Sequence, residues 1–163
     1  DAAQIRDIYE PFVTDSHVSF EEVVPDEPAM RERIEHYGKS HAWLVAEEDG
    51  RVLGYAYGCP HRTRPAYRWS AEVAIYVHPD ARGRGVAKSL YGALFERLRG
   101  RGYHSLFAGV ALPNDASIAL HRSVGFEPVG VFRRIGFKNG RWCDTSWWQL
   151  QLTTGDDPPA ELV

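Results

Sequence analysis

A chain of 163 residues with a formal charge of −3, 19 basic against 22 acidic side chains, is sized for one domain with a substantial core and lacks the basic excess that a main nucleic-acid ligand demands. It holds no run of about 18 apolar residues to cross a bilayer, and its two cysteines, Cys59 and Cys143, stand in neither metal-site nor disulfide-framework spacing. The seven histidines show no ligand pairing, so no metal is expected, and the opening Asp1-Ala-Ala-Gln-Ile-Arg-Asp7 reads as a helix start rather than a signal peptide, which favours a cytoplasmic protein.

In chain order, Asp1 predicts an N-cap for a helix with Ile5, Ile8 and Tyr9 on one face, ending near Pro11. Pro28 to Tyr37, with Met30, Ile34 and Tyr37 in register, predicts a second helix stopped by Gly38. Ala42–Ala46 and Val52–Tyr57 flank Glu-Glu-Asp-Gly-Arg, a hairpin signal, and Ala71–Val77 reads as a third strand. Val86, Leu90, Leu94 and Leu98 then recur every four residues as a helix halted by Gly100 and Gly102, ahead of a strand at Leu106–Ala111. Asn114 or Asp115 caps a short helix to Val124, ended by Gly125. Two closing strands, Gly130–Phe137 and Trp142–Leu152, join through Lys138-Asn-Gly-Arg141. The pattern is α+β: one domain over residues 1–152, a mixed, mostly antiparallel sheet with a central β-α-β unit and flanking helices, then a loose tail at 153–163 containing Asp156-Asp-Pro-Pro159.

The stretch Val77-His78-Pro79-Asp80-Ala81-Arg82-Gly83-Arg84-Gly85-Val86-Ala87 carries the strongest chemical signal. A strand ends in an Arg/Gly turn that opens directly into a helix. Glycines let backbone N–H groups crowd an anion, the helix N-terminus adds partial positive charge, and Arg82 and Arg84 add full charge. A phosphorylated ligand is implied. A dinucleotide fingerprint would need glycine where Lys88 stands, and a P-loop would need glycine rather than Ala87 before the lysine. What fits is Gln/Arg-x-x-Gly-x-Gly/Ala, read on Arg82, Gly85 and Ala87, which resembles the acetyl-CoA pyrophosphate loop of the GCN5-related N-acetyltransferase (GNAT) superfamily.

A second segment, Asn114-Asp-Ala-Ser-Ile-Ala-Leu-His-Arg-Ser-Val-Gly-Phe126, is similar to that superfamily's Asn-x-x-Ala-x-x-Leu-Tyr-x-x-x-Gly-Phe and follows the first in family order. Arg62-Thr-Arg-Pro-Ala-Tyr-Arg-Trp-Ser-Ala-Glu72, Leu112-Pro-Asn-Asp115 and Gly136-Phe-Lys-Asn-Gly-Arg-Trp-Cys-Asp144 resemble the phosphinothricin and methionine sulfoximine acetyltransferase subgroup. The likeness covers residues 1–152. It departs at the front, where the family usually places a strand before the first helix and this sequence opens on the helix. The resemblance implies acetyl-CoA as cosubstrate, a small amino-acid-like acceptor and a homodimer. Resistance to a herbicide of this type would be a consequence of that chemistry.

The residues themselves permit a mechanism. Glu72 is a carboxylate in an apolar strand, where burial raises its pKa toward that of a base able to deprotonate an ammonium nucleophile. Glu72 to Val77 spans about 16 Å at roughly 3.3 Å per residue, the length of a pantetheine arm laid along the strand. Backbone N–H groups around Ile75, Tyr76 and Val77 are the natural donors to a developing oxyanion. Asn114, Ser117 and His121 share one helical face. His121 stands where most of the superfamily has a tyrosine that protonates the thiolate, and acid, base and positioner all remain open for it. By resemblance, Asn114 and Ser117 bind the pantetheine end, and Arg82, Gly83, Arg84, Gly85, Val86 and Ala87 the pyrophosphate. Arg62, Arg64, Tyr67 and Arg68 crowd guanidinium forks and a phenol just before Glu72, which suits an anionic amino acid; the subgroup implies Arg64 and Tyr67 for the acidic group, Phe20 as an apolar wall and Arg62 nearby. Trp142, Trp147 and Trp148 read as sheet and dimer core. The rival functions are acetylation of protein N-termini or polyamines, the latter disfavoured by the basic lining, and a non-catalytic acyl-CoA-binding module.

Overall fold

A computed structural model of the chain describes residues 1–155 and 158–163. Its elements are α1 (Ala2–Thr14), α2 (Glu27–Ser40), β1 (Ala42–Glu48), β2 (Arg51–Pro60), β3 (Ser70–Val77), α3 (Val86–Gly100), β4 (Ser105–Ala111), α4 (Asp115–Ser123), β5 (Glu127–Lys138) and β6 (Arg141–Gln151), with short 3-10 turns at Pro65–Tyr67 and Pro79–Ala81. The strands form one sheet in the order β1-β2-β3-β4-β6-β5. Among the described residues only β3 and β4 pair in parallel, because α3 carries the chain back across the sheet between them. The α+β architecture expected from the pattern is the one found.

Period-two burial divides the sheet into two faces. Ala71 and Val73 of β3 and Leu106, Ala108 and Val110 of β4 pack against Leu90, Tyr91, Leu94 and Leu98 of α3, with Phe126 and Trp148 closing that core. The opposite face, through Val52 and Tyr55, receives Ile5, Ile8, Tyr9 and Val13 of α1 and Met30 of α2. Tyr76 joins this second core, its ring 4.9 Å from Tyr9 and 5.0 Å from Phe12. Glycines serve the close approaches: a Cβ on Gly54 would lie 2.8 Å from the Tyr76 carbonyl oxygen, so this β2–β3 contact requires glycine.

Several boundaries differ from those predicted, and three differences have a clear packing cause. Helix α1 runs through Pro11 to Thr14, since proline deletes only its own N–H and Val13 is buried beyond it; the Asp15 N–H still bonds the Pro11 carbonyl at 3.0 Å. Helix α2 continues past Gly38 to Ser40, where the His41 N–H closes on the Tyr37 carbonyl. The C-terminal tail is not loose at its end: the Trp69 indole donates to Ala160 O at 2.8 Å, Arg68 pairs with Glu161 at 3.1 Å, and Leu162 packs on the larger core. Asp156 and Asp157, part of the tail segment singled out in the sequence, lie outside the described residues.

The parallel pairing of β3 with β4 lasts only from Ser70↔Ser105 to Glu72↔Phe107. Beyond it, β2 follows β3 to Val77, and β6 follows β4 to Ala111. The two halves of the sheet therefore part just past Glu72, leaving facing strand edges whose main-chain groups are not paired with each other.

Candidate active site

The split opens toward both faces of the sheet. On the side of α3 and α4 the cleft is lined by Val73, Ala74, Ile75, Tyr76, Asn114, Ser117 and His121, among others. On the side of α1 a second hollow is bounded by Tyr9, Ser19, Phe20, Glu21 and Thr145. Val18, Tyr76, Gly109 and Ala111 border both hollows, so the two meet through the gap in the sheet.

Beyond the end of β3, the loop turns into α3 through two glycines in the left-handed region. Gly83 and Gly85 have φ of +74° and +81°, and an added Cβ at either would meet nothing within 4 Å. Both are needed for backbone conformation, and the space in front of them is open. Ser89 donates back to the Gly85 carbonyl at 3.1 Å, leaving the N–H groups of Val86, Ala87 and Lys88 without an acceptor one turn earlier in the helix. Arg82 makes no ion pair among the described residues, whereas Arg84 is held by Glu48 of the β1–β2 hairpin at 2.9 and 3.0 Å. The two arginines that look alike in sequence are thus unequal: one is uncommitted, the other already partnered.

Asn114 caps α4, its side-chain oxygen accepting from the Ser117 N–H at 3.1 Å. One turn on, His121 is 3% exposed. Its Nδ1 lies 2.7 Å from the Ser117 carbonyl, which only accepts, so that nitrogen bears the proton. Nε2 then accepts from the Tyr91 hydroxyl at 3.0 Å. Burial pushes the His121 pKa down, opposed by the Ser117 carbonyl. The imidazole is neutral with both nitrogens engaged. Of the roles the sequence leaves open for it, positioner fits this geometry best.

Glu72 projects from β3 on the α1/α2 face, at the base of the split. Its Oε1 lies 3.0 Å from His61 Nδ1 and 3.7 Å from Arg62 Nη1. Burial pushes its pKa up, while His61 and Arg62 pull against that rise. Cys59, directly opposite Glu72 on β2, has its thiol pushed up to about 12 by burial and by that carboxylate. Burial thus disfavours the thiolate, the nucleophilic form of this side chain.

Of the predicted acceptor contacts, Arg62 lies beside Glu72, and the Tyr67 ring meets His61 at a steep angle with centroids 6.1 Å apart. Arg64 begins the 3-10 turn and is exposed, with no side-chain partner among the described residues. Phe20 stands at the other hollow, over Gly136, where an added Cβ would come within 2.5 Å of its ring. Trp148 is core and Trp142 is exposed, but Trp147 faces the Glu72 side, 6.1 Å from both His61 and Phe132. His61 and Tyr91 have no counterpart in the sequence reading. The signal for His61 was its place directly after Pro60, two residues beyond the strand position that faces Glu72.

Residues 1–147 match the model of an acetyltransferase (GNAT) domain. The chain is 42% identical over 158 residues to the phosphinothricin N-acetyltransferase of Alcaligenes faecalis, covering 96% of this chain and 80% of that protein. It is 39% identical over 117 residues to the L-methionine sulfoximine/L-methionine sulfone acetyltransferase of Salmonella typhimurium, covering 72% and 68%. A crystal structure of a GNAT superfamily phosphinothricin acetyltransferase from Sinorhizobium meliloti, in complex with acetyl-CoA, superposes with a TM-score of 0.91 at 37% identity, covering 99% of this chain and 90% of that one. The chain belongs to the GNAT acetyltransferase family.

Proposed function

We propose that this enzyme transfers the acetyl group of acetyl-CoA to the amino group of a small amino-acid-like acceptor of the phosphinothricin or methionine sulfoximine type. The observation that carries the reading is the split past Glu72, which joins a cleft leading to the anion cradle with a hollow on the opposite face of the sheet. A linear cosubstrate and a small acceptor can then meet end to end from two sides.

The residues present fit acetyl-CoA. The free N–H groups at the start of α3, with Arg82 beside them, suit a pyrophosphate. The unpaired edge of β3 from Val73 to Val77 suits the amide groups of a pantetheine arm lying as a surrogate strand. Acetyl-CoA, when bound, supplies the thioester. Asn114 and Ser117 line the cleft where its thiol end would lie, and His121 holds Tyr91 in its wall. A main-chain N–H near Ile75–Val77 stabilises negative charge on the acyl oxygen.

Glu72 acts on the acceptor. An ammonium group has no lone pair for attack, and a carboxylate raised toward neutrality by burial takes the proton directly or through water. Arg62, Arg64 and Tyr67 hold the acidic end of the acceptor through charge-assisted bonds, with Phe20 as an apolar wall on the far side. Two molecules associate through the exposed apolar side chains of β5 and β6, among them Val131, Ile135, Phe137 and Trp142.

The test is thiol release from acetyl-CoA with phosphinothricin, methionine sulfoximine, methionine sulfone, ordinary amino acids, an N-terminal peptide and spermidine as acceptors. Saturable turnover of the first three is expected, with Glu72→Gln losing about 10²-fold or more in kcat while acetyl-CoA affinity stays unchanged. Turnover confined to the peptide or spermidine would overturn the acceptor class, and binding of acetyl-CoA without any turnover would leave only a binding module.

A further inference from the structure

We propose that His61 is the positioning residue of the base: its Nδ1 donates to Glu72 Oε1, fixing the carboxylate so that the other oxygen, Oε2, is the one presented to the acceptor ammonium. This rests on Glu72 being the base. An ionised carboxylate only accepts, so at a separation of 3.0 Å Nδ1 carries the proton. The ring cannot readily swing away. It lies on Phe107 with centroids 4.3 Å apart and planes 13° from parallel, and Tyr67 and Trp147 meet it edge to face at 6.1 Å each. Its bond to Glu72 is the ring's one hydrogen bond among the described residues.

Four strands build this arrangement. The Cys59↔Glu72 register of β2 and β3 delivers His61 above the carboxylate, β4 supplies the Phe107 platform through the last parallel pair, Glu72↔Phe107, and β6 supplies Trp147. A surface salt bridge needs no such aromatic enclosure.

The groups bearing on Glu72 are few. Arg62 approaches the same Oε1, the Cys59 thiol faces it from β2, and Tyr37 of α2 and Tyr67 carry the nearby phenols, while Phe107 and Trp147 bring no charge. Of these, His61 makes the shortest contact. Without it burial would be opposed by Arg62 alone, and the carboxyl would hold its proton to higher pH.

The test compares wild type with His61→Phe, which keeps a ring on Phe107 but has no donor, and His61→Asn, which restores an amide donor near the place of Nδ1. The readouts are the pH profile of kcat/KM for the best amino-acid acceptor and the carboxyl ¹³C titration of Glu72 in the free protein. The expected result is an acidic limb and a Glu72 midpoint displaced upward by about one unit in His61→Phe, hence about tenfold less kcat/KM below the limb, with His61→Asn in between and KM for acetyl-CoA unchanged in both. A Glu72 midpoint in His61→Phe identical to wild type would overturn the proposal, as would a loss equal at every pH and not relieved in His61→Asn. Should His61→Phe fail to fold, His61→Leu takes its place, since it too has no donor, and a Glu72 midpoint unchanged in it would equally overturn the proposal. Glu72→Gln separates the two readings: full activity in that variant removes the base itself, whereas an inactive Glu72→Gln beside wild-type His61 variants removes only the positioning role.

Discussion

Burial acts in opposite directions on the two ionisable side chains beside the split. It raises Glu72, whose charged form is an anion, and lowers His121, whose charged form is a cation. Burial thereby makes the Glu72 carboxylate a stronger base, and it keeps His121 an imidazole that accepts from Tyr91. The sequence marks both positions but not their partners, because a hydrogen bond from α3 to α4 joins residues 30 apart with no local pattern between them. Tyr91→Phe leaves His121 Nε2 a buried acceptor without a donor, so unfolding in urea should show a loss of about 1–3 kcal/mol. Glu72→Gln should melt no lower than wild type at pH 7, since a carboxyl raised by burial favours the native state only as pH falls through its native midpoint, and its charged form is a cost above that.

The segment between α1 and α2 is organised by the far end of β5. Lys138, 6% exposed, donates from Nζ to the Ser19 carbonyl at 2.6 Å, and the Ser19 hydroxyl pairs with Tyr9 at 2.6 Å. His17 adds a bond to the Pro113 carbonyl, which ties this loop to the start of α4. Together they hold Phe20 against Gly136. A methyl at 136 would collide with the Phe20 ring, so Gly136→Ala should displace the loop and raise KM for the acceptor about tenfold, a 1.4 kcal/mol effect, with KM for acetyl-CoA unchanged; steady-state kinetics on both substrates checks this. The β5 strand also carries an irregularity between Phe132 and Gly136, where Arg134 takes φ of +52° and its N–H bonds Asp144 Oδ1 at 2.7 Å. That bulge bends the strand among its exposed apolar side chains.

At the scale of the whole molecule, the proposed association through β5 and β6 and the buried His41 each carry a prediction. Ile135 of β5 is 56% exposed. Ile135→Asp should convert a dimer to a monomer in sedimentation velocity, and a wild-type monomer at micromolar concentration would overturn the dimer. His41, stacked on Tyr103, is pushed down to about 4 by burial first and then by Arg101. A histidine with a depressed native pKa is protonated more readily in the unfolded chain, so its contribution is complete above about 6.5 and is lost as pH falls toward 4. The urea midpoint should drop across that window, and less steeply in His41→Asn.

The alternation, helical periodicities, glycine turns and two family motifs are local patterns, and they sufficed for the α+β order of elements and the family. Local patterns also account for the errors: Pro11 and Gly38 are breakers by propensity, but packing at Val13 and the α2–β1 junction carried both helices further. Partnership is what only the fold decided. That Arg84 is spoken for by Glu48 while Arg82 is not, that His121 is closed by Tyr91, and that Glu72 is held by His61 under three aromatic rings all follow from strand register and from where β3 parts from β4. These contacts join elements distant in sequence, and no residue spacing encodes them.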